Sequence, residues 1–113
     1  MADSAIRIKS FKFALLVIKL ARKLQDKREF VISNQLLRAG TSIGANVEEA
    51  QAGQSKKDFI AKMAIASKEA RETKYWLRLV REAGLGDLAV DHELELVEEL
   101  IRILTAIVKT SQI

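Results

Sequence analysis

The sequence predicts an all-α protein, an antiparallel up-down-up-down four-helix bundle, and three observations support this fold class. The 113 residues include no proline and only five glycines, so little in the chain interrupts a helix. Apolar residues recur at spacings of three and four, as on one side of a helix. The turn signals are short, and short connections make consecutive helices antiparallel. A chain of this length forms one domain, residues 1–113.

We predict four helices, at about residues 5–25, 34–52, 56–83 and 89–110. Ser33 precedes the second periodic segment and is the predicted N-cap of helix 2. Ser55 is predicted to cap helix 3, because Asp58 follows it at capping-box spacing. Gly84 is predicted to end helix 3, since glycine commonly terminates a helix and acidic residues follow.

Helices 1 and 4 carry more apolar surface than one bundle core can cover. On helix 1, one stripe contains Phe13, Val17, Leu20 and Leu24, while Phe11, Leu15 and Ile18 lie nearly opposite. Two adjacent stripes run along helix 4: Val90, Leu94, Val97, Ile101, Leu104 and Val108 in one, and Leu96, Leu100, Ile103 and Ile107 in the other. A large exposed apolar patch normally marks an interface. We therefore expect a homo-oligomer whose subunits meet through helices 1 and 4.

Helix 2 has the composition of a helix that packs closely against a neighbour. Its predicted core face contains Leu36, Gly40, Ile43, Val47 and Ala50, with Gly44 at the edge. A glycine inside a helix costs about 1 kcal/mol relative to alanine. Two glycines therefore indicate a close helix–helix approach. Helix 3 is predicted to direct a further set of side chains into the core: Phe59, Met63, Ala66, Ala70, Leu77 and Val80.

The residue types that catalysis and metal binding require are scarce in this chain. There is no cysteine, which excludes disulfides, thiolate chemistry and cysteine-ligated metals. His92 is the only histidine and lacks the acidic residue three positions earlier that di-iron bundles use. Acidic pairs at Glu48/Glu49, Glu69/Glu72 and Glu98/Glu99 are typical of solvated helix faces or ion pairs with Lys and Arg four residues away. We expect no enzymatic activity, no cofactor and no metal.

No segment has the length and apolarity of a membrane anchor. The longest apolar run, residues 13–18, is closed by Lys19, whereas a bilayer span needs about 20 apolar residues. A secretory signal peptide also needs a longer uninterrupted apolar region. We expect a cytoplasmic protein that makes no membrane contact.

The net charge of +4 is distributed unevenly along the sequence. Residues 1–47 contain nine Lys and Arg against three Asp and Glu, a net +6, whereas residues 84–113 contain two against six, a net −4. Lys12, Lys19 and Lys23 share one side of helix 1, flanked by Lys9. The following loop adds Lys27 and Arg28.

This basic surface has two interpretations. In the first, the cations solvate a face of helix 1 and the acidic helix 4 pairs with the basic helix 1, within or between subunits. Alternatively, an oligomer repeats them and creates a positive surface that binds phosphates without reading base sequence. Only Tyr75 and Trp76 supply aromatic rings beside cations, which does not favour a single-strand site based on base stacking.

Residues 30 to about 85 resemble the four-helix-bundle family of proteins first noted in intervening sequences of bacterial 23S ribosomal RNA genes. The resemblance rests on the run from Gln35 to Ala50, QLLRAGTSIGANVEEA, followed by Ser55-Lys56-Lys57-Asp58-Phe59. The segment from Ile65 to Leu77 also looks like one branch of that family. The sequence departs from the common pattern at Ala50, where the family often has Gly, and at Gly53, where it often has Arg.

The resemblance implies a small antiparallel bundle that assembles as a homopentamer. The family is also similar to the accessory protein of diversity-generating retroelements, a basic pentamer that binds nucleic acid and a reverse transcriptase. Its signature polar positions correspond here to Arg38, Ser42, Asn46 and Glu49, which lie along one side of helix 2. These four residues form either a structural hydrogen-bond network or a ligand site, and we favour the network.

Two function hypotheses follow. The first is a non-catalytic oligomer that binds RNA or DNA through Lys9, Lys12, Lys19, Lys23, Lys27 and Arg28. The second is an oligomeric adaptor that recruits a protein partner, such as a reverse transcriptase, without touching nucleic acid.

Overall fold

The computed structural model describes residues 2–112 and, within them, the side chains of residues 5–112. It contains four α-helices: α1 (Ala2–Asp26), α2 (Phe30–Gln51), α3 (Lys56–Ala83) and α4 (Asp91–Ser111). A single 3-10 turn, Leu85–Asp87, precedes α4. No strand occurs in the described residues, so the predicted all-helical class is confirmed.

The four helices pack as a square, elongated bundle with principal extents of 44 × 20 × 19 Å. Each helix packs against the next one along the chain and α4 packs against α1, whereas the Cα atoms of the two diagonal pairs stay more than 8 Å apart in the described residues. Interhelical pairs show the antiparallel order: Arg7 of α1 meets Glu48 near the end of α2. Arg81, near the end of α3, lies beside Asp91 at the start of α4.

The apolar stripes predicted to face inward form the core. On α1, Phe13, Val17, Leu20 and Leu24 are buried. The predicted core face of α2 is buried along its whole length. On α3 every predicted core residue is buried except the half-buried Phe59. Burial of these side chains supplies the main favourable term in folding.

The start of α2 differs from the prediction. It begins at Phe30 rather than near residue 34, and Glu29 occupies the N-cap position. Ser33 is therefore not a cap: it lies buried inside the helix, and its hydroxyl donates a 2.8 Å hydrogen bond to the Ala21 carbonyl of α1. In the sequence, a serine that forms a hydrogen bond between two helices cannot be distinguished from a serine that caps a helix.

A tight turn between α1 and α2 accounts for this early start. The Glu29 N–H donates to the Leu24 carbonyl (2.8 Å) and the Arg28 N–H donates to the Gln25 carbonyl (2.9 Å). These are the two hydrogen bonds of a Schellman motif, which normally places glycine in the left-handed position. Arg28 occupies that position here, with φ of 65°.

The two predicted boundaries of α3 are confirmed. The Ser55 hydroxyl accepts a 3.1 Å hydrogen bond from the Asp58 N–H, which satisfies one free donor of the first turn. At the other end Gly84 adopts φ of 64°, a conformation that glycine reaches without a Cβ clash. The chain then turns through Leu85–Asp87 into α4.

Gly40 lies where α1 and α2 approach most closely. An added Cβ there would lie 2.7 Å from both Val17 methyl carbons. At Gly44 an added Cβ would lie 3.4 Å from the Ser10 carbonyl oxygen, an ordinary contact. The predicted close approach is confirmed at Gly40, and Gly44 lies at its edge.

The outer side of α1 leaves three large apolar residues in solvent. Ile8, Phe11 and Leu15 are 57%, 63% and 46% exposed, and we call them the α1 ridge. The second apolar stripe of α4 is instead buried at Leu100 and half-buried at Leu96, along with Ile103 and Ile107. None of the helices has a stretch apolar and long enough to cross a bilayer.

Candidate nucleic-acid interface

The predicted basic residues of α1 lie on the side of the helix that faces α4. Lys9, Lys12, Lys19 and Lys23 are all exposed, and we call them the α1 stripe. The Lys9 ammonium lies 3.2 Å from a Glu99 carboxylate oxygen of α4. From Lys9 to Lys23 the stripe extends about 21 Å, since a helix rises 1.5 Å per residue.

The turn after α1 adds two cations at the end of this stripe. Lys27 and Arg28 are both exposed. The side chain of Lys27 lies over the 3-10 turn, because a Cβ added to Gly86 would be 3.2 Å from the Lys27 Cγ. Arg22, which the sequence argument did not include, is a further exposed cation on α1.

Most of this surface has no protein counter-charge. Among the described residues Lys9 alone of the α1 stripe forms an ion pair, and neither Lys27 nor Arg28 forms one. Within one subunit, the interpretation that helix 4 neutralises helix 1 therefore applies at one position, and pairing between subunits stays a prediction. The other cations are open to phosphates or to solvent.

Arg38 connects α2 to α3. Its guanidinium contacts the Glu72 carboxylate, lies 3.5 Å from that of Glu69, and donates a 3.0 Å hydrogen bond to the Gln35 side chain. Trp76 donates its indole N–H to the same Glu72 oxygen at 2.9 Å. Arg38, Glu72 and Trp76 thus form one network on the α2–α3 face.

The other three signature residues have partners on their own helix or on α3. Ser42 donates to the Arg38 carbonyl at 2.7 Å, and Asn46 donates to the Ser42 carbonyl at 2.8 Å. The Glu49 carboxylate forms an ion pair with the Lys62 ammonium of α3, at 3.2 Å. Arg38 and Glu49 therefore connect two helices, while Ser42 and Asn46 bond to their own helix backbone.

The three acidic pairs hold neighbouring helices together. Glu48 forms an ion pair with Arg7 of α1 at 3.3 Å, while its neighbour Glu49 pairs with Lys62 of α3. Glu98 forms an ion pair with Lys74 of α3 at 3.2 Å, while Glu99 pairs with Lys9 of α1. Partners therefore come from adjacent helices rather than from four residues along the same helix. Exposed pairs of this kind contribute about 0.2–1 kcal/mol each.

The Glu72 carboxylate is stabilised in its ionised form. The hydrogen bond from Trp76, followed by the hydrogen bond and charge of Arg38, holds the pKa of Glu72 below its usual 4.5, against an opposing contribution from partial burial. A pKa lower in the folded than in the unfolded state stabilises the fold above the unfolded value. That stabilisation is lost as the pH falls through the folded value.

We therefore expect Glu72→Gln to lower the free energy of unfolding by about 1 kcal/mol at pH 7, because a charge-assisted interaction is lost. The difference from the wild type should shrink as the pH falls below about 4.5, because the wild-type carboxylate then becomes protonated and loses its charge-assisted contacts. Urea denaturation at several pH values measures both quantities.

Glu95→Gln is the matched control, because Glu95 is exposed and has no ion pair within the described residues. It should change stability by less than about 0.5 kcal/mol at any pH. A Glu72→Gln deficit that does not shrink as the pH is lowered towards acid unfolding would contradict the assigned role of the carboxylate.

A second basic surface, which sequence reasoning missed, lies between α3 and α4. This groove has a volume of about 440 Å³ and is lined by Arg71, Lys74, Tyr75, Arg78, Glu98, Ile101 and Arg102. The α3 members recur at helical spacing, which is visible in the sequence. Arg102 could not be added from the sequence, because its position beside α3 depends on how the helices pack. The described residues contain no cluster of three or more His, Cys, Asp or Glu suited to a metal.

Comparison with known proteins identifies a family and a similar solved structure. No curated protein matches the chain. A crystal structure of a protein of unknown function from the S23 ribosomal protein family, from Bacteroides thetaiotaomicron, has 39% sequence identity and a TM-score of 0.89. The match covers 96% of this chain and 99% of that one. The family profile of the 23S rRNA-intervening sequence proteins matches residues 2–106. The chain therefore belongs to the 23S rRNA-intervening sequence protein family.

Proposed function

We propose that this protein is a non-catalytic, homo-oligomeric helical bundle of the cytoplasm that binds nucleic acid, either RNA or DNA. The contact surface is the α1 stripe together with the turn that follows it. Its six cations are Lys9, Lys12, Lys19, Lys23, Lys27 and Arg28. Binding is sequence-tolerant, because contacts to phosphates position a nucleic acid without reading its bases.

The observation that carries this proposal is the absence of counter-charges. Five of the six cations have no ion pair within the described residues, although other acidic residues of α2, α3 and α4 are engaged in pairs elsewhere. Leaving like charges together on one surface raises their mutual repulsion, and a polyanion relieves it. The stripe also has the length of about six nucleotides of one duplex strand, at 3.4 Å each.

Assembly would strengthen this binding. The α1 ridge of Ile8, Phe11 and Leu15 lies beside the α1 stripe on the same helix. Subunits that cover their ridges, with α4 contributing its half-buried stripe, bring their basic surfaces close together. We propose the homopentamer that the family resemblance implies, because several copies of a +4 chain create the potential that one copy lacks.

A groove between α1 and α4 supports a second candidate function, that of an adaptor for another protein. It has a volume of about 520 Å³, and its wall includes the apolar residues Ile8, Phe13, Leu16, Leu96 and Leu100. Apolar grooves of this kind accept amphipathic segments of a partner. A reverse transcriptase is one such partner that the family resemblance suggests.

The test of the nucleic-acid function is the triple substitution Lys12→Glu, Lys19→Glu and Lys23→Glu. Binding of labelled RNA and of duplex DNA is measured by fluorescence anisotropy from about 50 to about 200 mM salt. We expect the wild type to bind at low salt. The triple variant should bind at least about tenfold more weakly, with a duplex salt slope smaller by about 2.7, since each phosphate contact contributes about 0.9.

The control variant changes three other exposed lysines, Lys56→Glu, Lys57→Glu and Lys109→Glu, which gives the same change in net charge. It should keep most of the wild-type affinity. Equal losses in the two variants would show that total charge matters and the α1 stripe does not. No binding by the wild type at about 50 mM salt would reject the nucleic-acid function and favour the adaptor.

A further inference from the structure

The groove between α3 and α4 combines several cations with an exposed aromatic ring, and we call it the Tyr75 groove. Arg71, Lys74 and Arg78 line it from α3, and Arg102 lines it from α4. Glu98 is the one carboxylate of the lining and pairs with Lys74 at 3.2 Å. The groove therefore has a formal excess of three positive charges.

The three guanidinium groups of the groove are available to a ligand. Neither Arg78 nor Arg102 forms an ion pair within the described residues, and Arg71 has a neutral partner, the Thr105 hydroxyl at 3.2 Å. A guanidinium donates paired hydrogen bonds that match the oxygens of a phosphate. Arg71 and Arg78 are separated by about 10.5 Å along the helix axis, at 1.5 Å per residue. That distance allows one strand to place separate phosphates on each of them.

Tyr75 supplies a flat apolar surface among these cations. It is 53% exposed, although an aromatic ring of this size is normally covered in a monomer. Its ring packs edge-on against Trp76, with 5.2 Å between centroids and an interplanar angle of 69°. Trp76 is itself held by its hydrogen bond to Glu72. The Tyr75 ring is thus supported from the side while part of it remains open to solvent.

We propose that the Tyr75 groove binds single-stranded nucleic acid, with its cations on the phosphates and a base stacked on Tyr75. Cations that follow the backbone and aromatic rings that stack on bases are the two components of single-strand sites. The small number of aromatic rings in the sequence argues against such a site, but the structure places Tyr75 in one groove with four cations. A duplex keeps its bases stacked inside and cannot use the ring. This inference rests on the proposed nucleic-acid function but assigns a separate surface, since α4 lies between the groove and the α1 stripe.

The experiment compares three variants, Tyr75→Ala, Tyr75→Phe and Arg78→Glu/Arg102→Glu, with the wild type. A fluorescein-labelled single-stranded RNA, a single-stranded DNA of the same length and a hairpin duplex serve as probes in anisotropy titrations. Tyr75→Ala should weaken single-strand binding by about 5- to 100-fold, the value of one stacked base, and leave duplex binding unchanged. Tyr75→Phe keeps the ring and should bind like the wild type.

The double Arg variant should bind single strands at least about tenfold more weakly and with a salt slope smaller by about 1.4, or 0.7 for each lost phosphate contact. Heparin, a polyanion without bases, should bind Tyr75→Ala as it binds the wild type. Trp76 is the only tryptophan and its ring contacts that of Tyr75, so its fluorescence should change when a base stacks on Tyr75. Thermal unfolding of each variant verifies that the bundle remains folded.

The inference is overturned if both the Tyr75→Ala and the double Arg variants bind single strands like the wild type and Trp76 fluorescence does not respond. If the Lys12/Lys19/Lys23 variant still loses binding in that case, the proposed function stands without this groove. Loss in the double Arg variant with no effect of Tyr75→Ala would overturn the stacking contact. A wild type that binds none of the probes at about 50 mM salt would reject both proposals together.

Discussion

Phe13→Ala is expected to lower the free energy of unfolding by about 3–5 kcal/mol, the usual cost of removing a phenyl ring from a packed core. Phe13 is 1% exposed and is among the largest side chains that are fully buried. It lies on α1, where the square arrangement brings α2 and α4 to its two sides. Alanine would leave a cavity between packed helices that cannot close without moving their backbones. Urea denaturation at pH 7 measures the loss.

Phe11→Ala is the matched control on the same helix. Phe11 is 63% exposed, so the same truncation should change the stability of the single bundle by less than about 0.5 kcal/mol. Its effect should instead be on assembly, because Phe11 belongs to the α1 ridge. Light scattering at micromolar concentration should show the wild type as an oligomer and Phe11→Ala as smaller species.

The two effects differ in their dependence on protein concentration. The Phe13→Ala deficit arises inside one bundle and should persist at every concentration. Any apparent deficit of Phe11→Ala should increase with concentration, because an oligomer gains stability by mass action and the variant does not. A wild type that is monomeric, or a Phe11→Ala variant as destabilised as Phe13→Ala at all concentrations, would contradict the assigned interface.

The helices and core were predictable because each core stripe lies within one helix. Phe13, Val17, Leu20 and Leu24 share a face at a fixed spacing, whatever the neighbouring helices do. The start of α2 was not predictable by the same route. A turn of this kind usually contains glycine in the left-handed position, and here Arg28 occupies it. Without that signal, Ser33 looked like a cap.

The candidate sites also differ in whether their residues lie on one helix or on two. The α1 stripe could be read from the sequence, since all its cations are on one helix. Which of these cations form ion pairs could not be predicted, because the one partner found, Glu99 of Lys9, is 90 residues away in the sequence. The Tyr75 groove depends on which side of α3 meets Arg102 of α4. Contacts between distant segments are set by packing, which a single helical period does not encode.

Gly40→Leu is expected to destabilise the protein by at least about 3 kcal/mol, because overpacking of a core usually costs 1–3 kcal/mol and a leucine adds four carbon atoms. The first of these atoms would already lie 2.7 Å from both Val17 methyl carbons. Valine cannot move them aside easily, since its branched Cβ restricts it to one rotamer in a helix. The smaller Gly40→Ala change should cost up to about 2 kcal/mol, after the gain of about 1 kcal/mol in helix propensity.

Gly44→Ala provides the matched control one helical turn later. Its new methyl group would make an ordinary 3.4 Å contact with the Ser10 carbonyl oxygen, so helix propensity should dominate. We expect this variant to be more stable than the wild type by up to about 1 kcal/mol. Guanidinium denaturation of both alanine variants should give opposite signs.

The Val17→Ala background identifies the cause of the Gly40 effect. Val17→Ala removes the two methyl carbons that an alanine at position 40 would strike, so the double variant should be more stable than the sum of the single changes predicts. The coupling should amount to about 1–2 kcal/mol and be absent for Gly44→Ala. Additive effects of Gly40→Ala and Val17→Ala would show that the glycine is not required by the contact between α1 and α2.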